Sequence, residues 1–348
     1  MSRPPLRPVF LSIFTWLSGT LLAACVAASP SPLPAAPLDP TATTAARPST
    51  PTAGQPALPP TALPDPSPTA PAAQNAANRS SPVLSSSPTV AASPTPDFTP
   101  TPDTRPLPRQ WRSWPIVPTI SPNVVSIFLN GQAQGKNPYA FSILGDCQSL
   151  PPVFMGIYNT DRYYLGTGYE YLQETIDFFA QSGSFGRQGY ATQNGLSVAS
   201  ALSPAWADPQ ACNPGESPLA CEIRIQQPSI MFINLGTNWT ANATASHEAY
   251  LRQIVDILLA EGIIPILSTK GDNIEGDWSI NQSIAQVAYD YDVPLWNFWA
   301  AIQDLPNKGL DPERPGGNYL TVPAWDRRSF TGLQVLDAIR QTLQPYYP

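Results

Sequence analysis

The chain has 348 residues, with 18 Lys and Arg against 25 Asp and Glu and a formal net charge of -7. An acidic chain without a basic run is excluded from binding nucleic acid through its phosphates, which needs clustered Lys and Arg. Length alone allows two domains, but 22 of the 44 prolines fall between Val26 and Pro108, and so proline-dense a stretch cannot pack a core.

Taken in order, the chain opens with Arg3 and Arg7, then a mostly apolar run from Val9 to Ala24 that is short for a membrane-spanning helix. The run ends in Leu22-Ala23-Ala24-Cys25. This tetrapeptide resembles the bacterial lipobox. The resemblance implies a signal peptide over residues 1–24, cleavage before Cys25 and acylation of that cysteine. Two acyl chains hold a protein stably where one is marginal. The lipid bilayer is therefore an expected partner, with the domain on the extracytoplasmic side. An ordinary secretory signal with an incidental cysteine is the alternative reading of the same residues.

Residues 25–109 are rich in Pro, Ala, Ser and Thr and poor in large apolar side chains. They cannot bury enough surface to offset their ordering entropy, so a disordered linker is expected. Proline biases it toward extended polyproline II, about 3.1 Å per residue, and so toward a semi-rigid spacer. A tether and a merely tolerated linker would have the same composition. The Ser/Thr-Pro bias also suits O-glycosylation.

Residues 110–348 alternate strand and helix. Tyr139–Leu144 is a short apolar run closed by Gly145, a strand. Glu170–Phe179 has helical spacing. Ser229–Leu235, bounded by Pro228 and Gly236, is a buried strand. Leu251, Ile254, Val255 and Leu258 share one helix face, with Gly262 as the stop. Ile263–Leu267 is a strand, Asn281–Tyr289 a helix and Val293–Phe298 a strand. A helix carrying Leu333, Leu336, Ile339 and Leu343 closes the chain. Strands separated by helices of this length predict a parallel sheet covered on both faces.

Beyond Cys25, the cysteines are Cys147, Cys212 and Cys221. An exported domain meets oxidising conditions, so a disulfide is expected. Cys212 and Cys221 flank the turn-rich loop 213–218 and form the expected pair. One histidine and no second close cysteine pair argue against zinc. Cys147 remains as the odd thiol.

Cys147 lies in Leu144-Gly145-Asp146-Cys147-Gln148-Ser149, directly after the first strand. These residues resemble the first block, Gly-Asp-Ser, of the SGNH (GDSL) hydrolase family, with Cys147 in place of the serine nucleophile. Gly236-Thr237-Asn238 after the second strand matches the family's Gly-x-Asn block, whose asparagine donates to the developing oxyanion. Such pre-aimed donors are worth a few kcal/mol of transition-state stabilisation. Gly195 in Asn194-Gly195-Leu196-Ser197 is the match for the glycine whose backbone N–H completes that hole. The family's closing Asp-x-x-His is absent. Gly316 and Tyr319 stand at the aligned positions, and no histidine follows His247. The resemblance covers most of residues 139–343. It implies a three-layer α/β/α sandwich with a parallel sheet, of SGNH, flavodoxin-like type.

The missing base weighs on function. A cysteine needs activation less than a serine does, because its thiol pKa is near 8.5. Turnover still needs an activated water, and losing acid–base help costs about 10²–10⁴-fold. His247 is expected to be an exposed helix-start residue beside Glu248. Tyr319 could orient a ligand but is a poor base. Asp146 is expected to fix the turn after the strand. Trp206, Trp239, Trp278, Trp296, Trp299 and Trp325 are expected mainly to pack, with Trp239, next to Asn238, the candidate at the site mouth. Lys270, Asp272 and Asn273 are expected to cap a loop rather than contact ligand. The first functional expectation is a degenerate SGNH domain, a pseudoenzyme on a lipid-anchored stalk, that binds an acylated or glycan ligand or a protein partner. The second is an esterase with Cys147 as nucleophile and Asn238 and Gly195 in the oxyanion hole. A structural surface protein without a ligand is the third. No cofactor is expected, and no Gly-rich phosphate loop is present.

Overall fold

The computed structural model describes residues 103–239 and 242–348. The expected signal peptide, Cys25 and nearly all of the linker lie outside the described residues. Four strands form one sheet: β1 (Asn137–Gly145), β2 (Pro228–Asn234), β3 (Ile264–Ser268) and β4 (Leu295–Trp296). All pair parallel, in the order β1-β2-β3-β4. The α-helices of the described residues are α1 (Asn123–Ala133), α2 (Gln173–Ala180), α3 (Pro218–Gln226), α4 (Thr244–Ala260), α5 (Ser279–Tyr291), α6 (Phe298–Ala301) and α7 (Val322–Leu343). None is long and apolar enough to cross a membrane.

The strands are apolar on both faces because helices cover both. Every residue of β2 is buried. On one face, Phe141 meets Phe179 of α2, and Phe232 meets Phe154, which packs on Gly332 of α7. On the other, Ser142 donates to buried Glu222 of α3 at 2.5 Å. Leu251, Ile254, Val255 and Leu258 of α4 are buried as their spacing predicts. Gly262 ends that helix with φ +67°, and a Cβ there would lie 2.2 Å from Gly131 N of α1. Only glycine meets both demands.

A fifth, rudimentary strand borders β1. Gly145 N donates to Ala191 O at 3.0 Å and Gln193 N to Gly145 O at 3.1 Å, making a parallel bridge between Gly145 and Thr192. Counted by chain position, the sheet order becomes second-first-third-fourth-fifth, the flavodoxin-like order. The connections reverse direction between β1 and β2. Open α/β sheets bind ligands at that point, outside the carboxyl ends of the strands.

Two expectations need adjustment. The segment 293–298 is a strand only at Leu295–Trp296, because Asn297 turns the chain into α6. Its Oδ1 accepts from Ala300 N at 3.3 Å, and its Nδ2 donates to Trp111 O and Trp114 O at 2.9 Å. Packing also starts ahead of residue 110: Arg105 pairs with Asp292 at 2.9 Å and lies 4.1 Å over the Tyr289 ring.

Cys212 and Cys221 form the expected disulfide. It joins the loop before α3 to a fully buried position on that helix. Closing a loop of this length stabilises by about 2–3 kcal/mol. Cys212→Ser/Cys221→Ser is therefore expected to lower the urea midpoint. An unchanged midpoint would contradict a stabilising bridge.

Candidate functional site

The first block is built by close packing. A Cβ on Gly145 would lie 2.3 Å from Ser149 Oγ and 3.4 Å from the Asn234 Cβ, so the turn after β1 requires glycine. The chain then turns through Asp146, whose carboxylate accepts from Gln148 N at 2.9 Å. That is the turn-fixing role expected of it, but Asp146 is also buried and lines the cavity at the sheet's carboxyl edge. Burial pushes its pKa up to about 6, against the opposing pull of the Arg328 guanidinium.

The third block reaches the same point. Asn238 Nδ2 donates to Asp146 Oδ2 at 3.3 Å and to Leu196 O at 3.4 Å. Leu196 follows Gly195, which sits at φ +77°. The structure thus brings Asp146, Asn238 and the Gly195 turn together. Thr237 Oγ1 donates to Asp272 at 2.8 Å. Asp272 pairs with Lys270 at 2.5 Å, and Lys270 also pairs with Glu275 at 2.5 Å. Asn273 accepts from Trp278 N at 2.9 Å. Lys270 and Asp272 therefore satisfy one another beside the cavity, and Asn273 caps its loop.

Several candidates lie elsewhere than expected. Cys147 is not among the residues that line the cavity, although its neighbours Asp146 and Gln148 are. Tyr319 does not line the cavity. Its ring lies under Arg314, 3.7 Å away, while the neighbouring Asn318 and Leu320 face the cavity. Trp239 donates to Ala243 O at 2.8 Å and packs edge-on against His247 and Tyr250, also outside the cavity lining. His247 is fully buried rather than exposed. Burial, with Lys270 nearby, pushes its pKa down to about 4. Its Nδ1 lies 3.4 Å from Ser283 Oγ. A neutral imidazole so hard to protonate is a poor base near pH 7.

The fourth block's region does reach the site, but with other side chains. Gln148 Nε2 donates to Asn318 O at 2.6 Å, and its Oε1 accepts from Trp325 Nε1 at 3.0 Å and from Leu320 N at 3.3 Å. Arg328 of α7 donates to Gln148 O and, at 3.3 Å, to Ser149 Oγ. Its guanidinium stacks over Phe154, 4.8 Å from the ring centre. Sequence reasoning passed over Arg328 and Gln148. A signal existed: Arg328 precedes Gly332, Val335, Ile339 and Leu343 at helical spacing, so it lies on the buried stripe of α7.

The half-open recess that these residues line offers about 30 Å³ to water-sized occupants, room for a water or two at its base. Among the described residues, the cluster with metal-ligand spacing is Cys212, Glu216 and Cys221, and its two sulfurs are bonded to each other. A disulfide offers no thiolate for zinc.

No protein-family profile and no curated protein matches the chain. Solved structures of similar fold do. One is a GDSL-like lipase from Bacteroides thetaiotaomicron VPI-5482, 16% identical, TM-score 0.37, covering 62% of this chain and 97% of its own. Another is TesA, 16% identical, TM-score 0.35, covering 59% of this chain and 99% of its own. By its own strand order the chain has a parallel α/β fold of flavodoxin-like order.

Proposed function

We propose that this chain is a lipid-anchored, extracytoplasmic protein whose SGNH-like domain serves for binding instead of hydrolysis. The closure of the cleft carries this reading. Where a hydrolase needs a base and room for an ester, Arg328, Gln148, Asn318 and Leu320 fill the space around Asp146. Oxyanion-type donors alone do not activate a nucleophile. The anchor rests on the lipobox resemblance at Cys25 and the proline-rich spacer behind it.

The test is hydrolysis of short-chain aryl esters by the purified full chain, with and without reductant, beside Cys147→Ala. No turnover above the buffer rate is expected in either condition. Turnover that Cys147→Ala abolishes would overturn the reading and make Cys147 a nucleophile. For the anchor, metabolic labelling with an alkyne fatty acid should mark the wild-type chain and spare Cys25→Ala.

A further inference from the structure

The outer edge of the sheet carries a second recess, separate from the Asp146 cavity. It is an open groove of about 630 Å³ between residues 188–193 and residues 205–209. Both walls are fixed from behind. The first is held to β1 by the bridge at Gly145, by Thr192 Oγ1 donating to Ile143 O at 2.6 Å, and by Tyr190 N donating to Glu222 at 2.7 Å. The second is tied to the first by Gln193 Nε2 donating to Trp206 O at 2.9 Å. Asp208 then caps the next turn through Gln210 N at 2.8 Å, and Cys212 N donates to Asp208 O at 2.9 Å just ahead of the disulfide. A recess built on restrained backbone needs little ordering when a ligand enters.

The side chains select the ligand class. Trp206 leaves 41% of its surface exposed, although a large apolar ring gains by burial. Gly195 lies beside the ring edge, where a Cβ would be 3.7 Å from Trp206 Cη2. Around it stand Tyr190, Gln188, Gln193 and Asp208. No Lys or Arg lines the groove, and neighbouring Arg187 points inward to Phe141 O at 2.9 Å. The single carboxylate and absent cations disfavour phosphorylated or otherwise anionic ligands. The lack of large aliphatic side chains disfavours acyl chains. A ring face flanked by carboxamides and a carboxylate suits a molecule with an apolar C–H face and a rim of hydroxyls.

We propose that this groove binds an uncharged oligosaccharide, one pyranose ring stacked on Trp206 and its hydroxyls bonded by Gln188, Gln193 and Asp208. The proposal rests on the binding half of the function proposed above and not on the loss of hydrolysis.

The test is isothermal titration of the full chain with neutral hexasaccharides of glucose, mannose and N-acetylglucosamine, and with a sulfated oligosaccharide. Saturable binding of at least one neutral probe is expected. Trp206→Ala should weaken it at least about tenfold, as loss of a central aromatic contact does. Trp206→Phe should restore part of the affinity, and Asp208→Asn should weaken it less. If Trp206→Ala fails to form the Cys212–Cys221 disulfide, Gln188→Ala, on an exposed residue, takes its place with the same expected direction. No binding of any neutral probe at millimolar concentration would overturn the proposal. So would binding unchanged by the Trp206 variants, or a preference for the sulfated probe. Ester hydrolysis on the same samples reports separately on the function proposed above.

Discussion

Replacing Arg328 by alanine is expected to cost about 2–5 kcal/mol of folding stability, measured by urea unfolding, because it removes a buried side chain together with its hydrogen bonds. Arg328 is nearly inaccessible, and burial lowers its pKa to about 10 against the opposing pull of Asp146. It ties the loop after β1 to α7 through Gln148 O and Ser149 Oγ. It also fills space beside Phe154 and Phe298. Alanine deletes the charge, the hydrogen bonds and the packing together. Arg328→Met keeps much of the volume and should recover part of the loss. Equal losses in the two variants would mean that packing contributes little and the polar ties dominate. A loss below about 1 kcal/mol in both, within the range of ordinary surface substitutions and weak contacts, would refute the role given to Arg328.

The pH dependence of stability tests Asp146. Burial holds its carboxyl at about 6 in the folded chain, against 3.8 for an unperturbed aspartate. Between those values the folded state binds more protons than the unfolded one, so stability falls as pH rises through the window. The difference of about two units corresponds to about 3 kcal/mol of destabilisation, fully present above pH 6 and relieved below pH 4. Asp146→Asn cannot titrate. Its stability relative to wild type should therefore improve from pH 4 to pH 7 by about that amount, whatever the offset at pH 4. Parallel curves for the two proteins would show that Asp146 titrates normally. In Arg328→Met the window should extend to higher pH while its lower edge stays in place, since the guanidinium that favours the folded carboxylate is gone.

Much of the sheet was legible in the sequence because its signals are local. The runs at Phe141–Leu144, Ile230–Ile233 and Ile264–Leu267 are apolar without interruption, as strands between two helix layers must be. Helix α1 was not legible. Its Val124, Val125, Ile127 and Phe128 are residues that favour strands, and only packing against α7 and the sheet makes them helical. Helix α3 is nine residues long and is defined by Ser217 capping Ala220 N and by Pro218 in the first turn, signals easily lost beside a cysteine loop. At the site, Gly145, Asp146, Gly195 and Asn238 could be found because each lies next to a strand end or a tight turn. The closing of the cleft could not. It depends on Gln148 meeting Asn318, Leu320 and Trp325, contacts spanning the whole domain, and on which of Arg327 and Arg328 faces inward. Arg327 turns out to Asp304 at 3.1 Å and Arg328 turns in.

The parallel pairing of β1 with β2 also sets a schedule. Asn137 is in register with Pro228, so roughly ninety residues of chain must follow the first strand before its partner exists, and pairings this distant in sequence form slowly. During that interval Phe141, Ile143 and Leu144 have at most the short 191–193 segment beside them and are available to any other unpaired edge. Nascent chains that stall between residues 145 and 228 are therefore the population most prone to aggregate. Factors that shield this one segment should raise the yield of folded protein more than any change made after the sheet has closed.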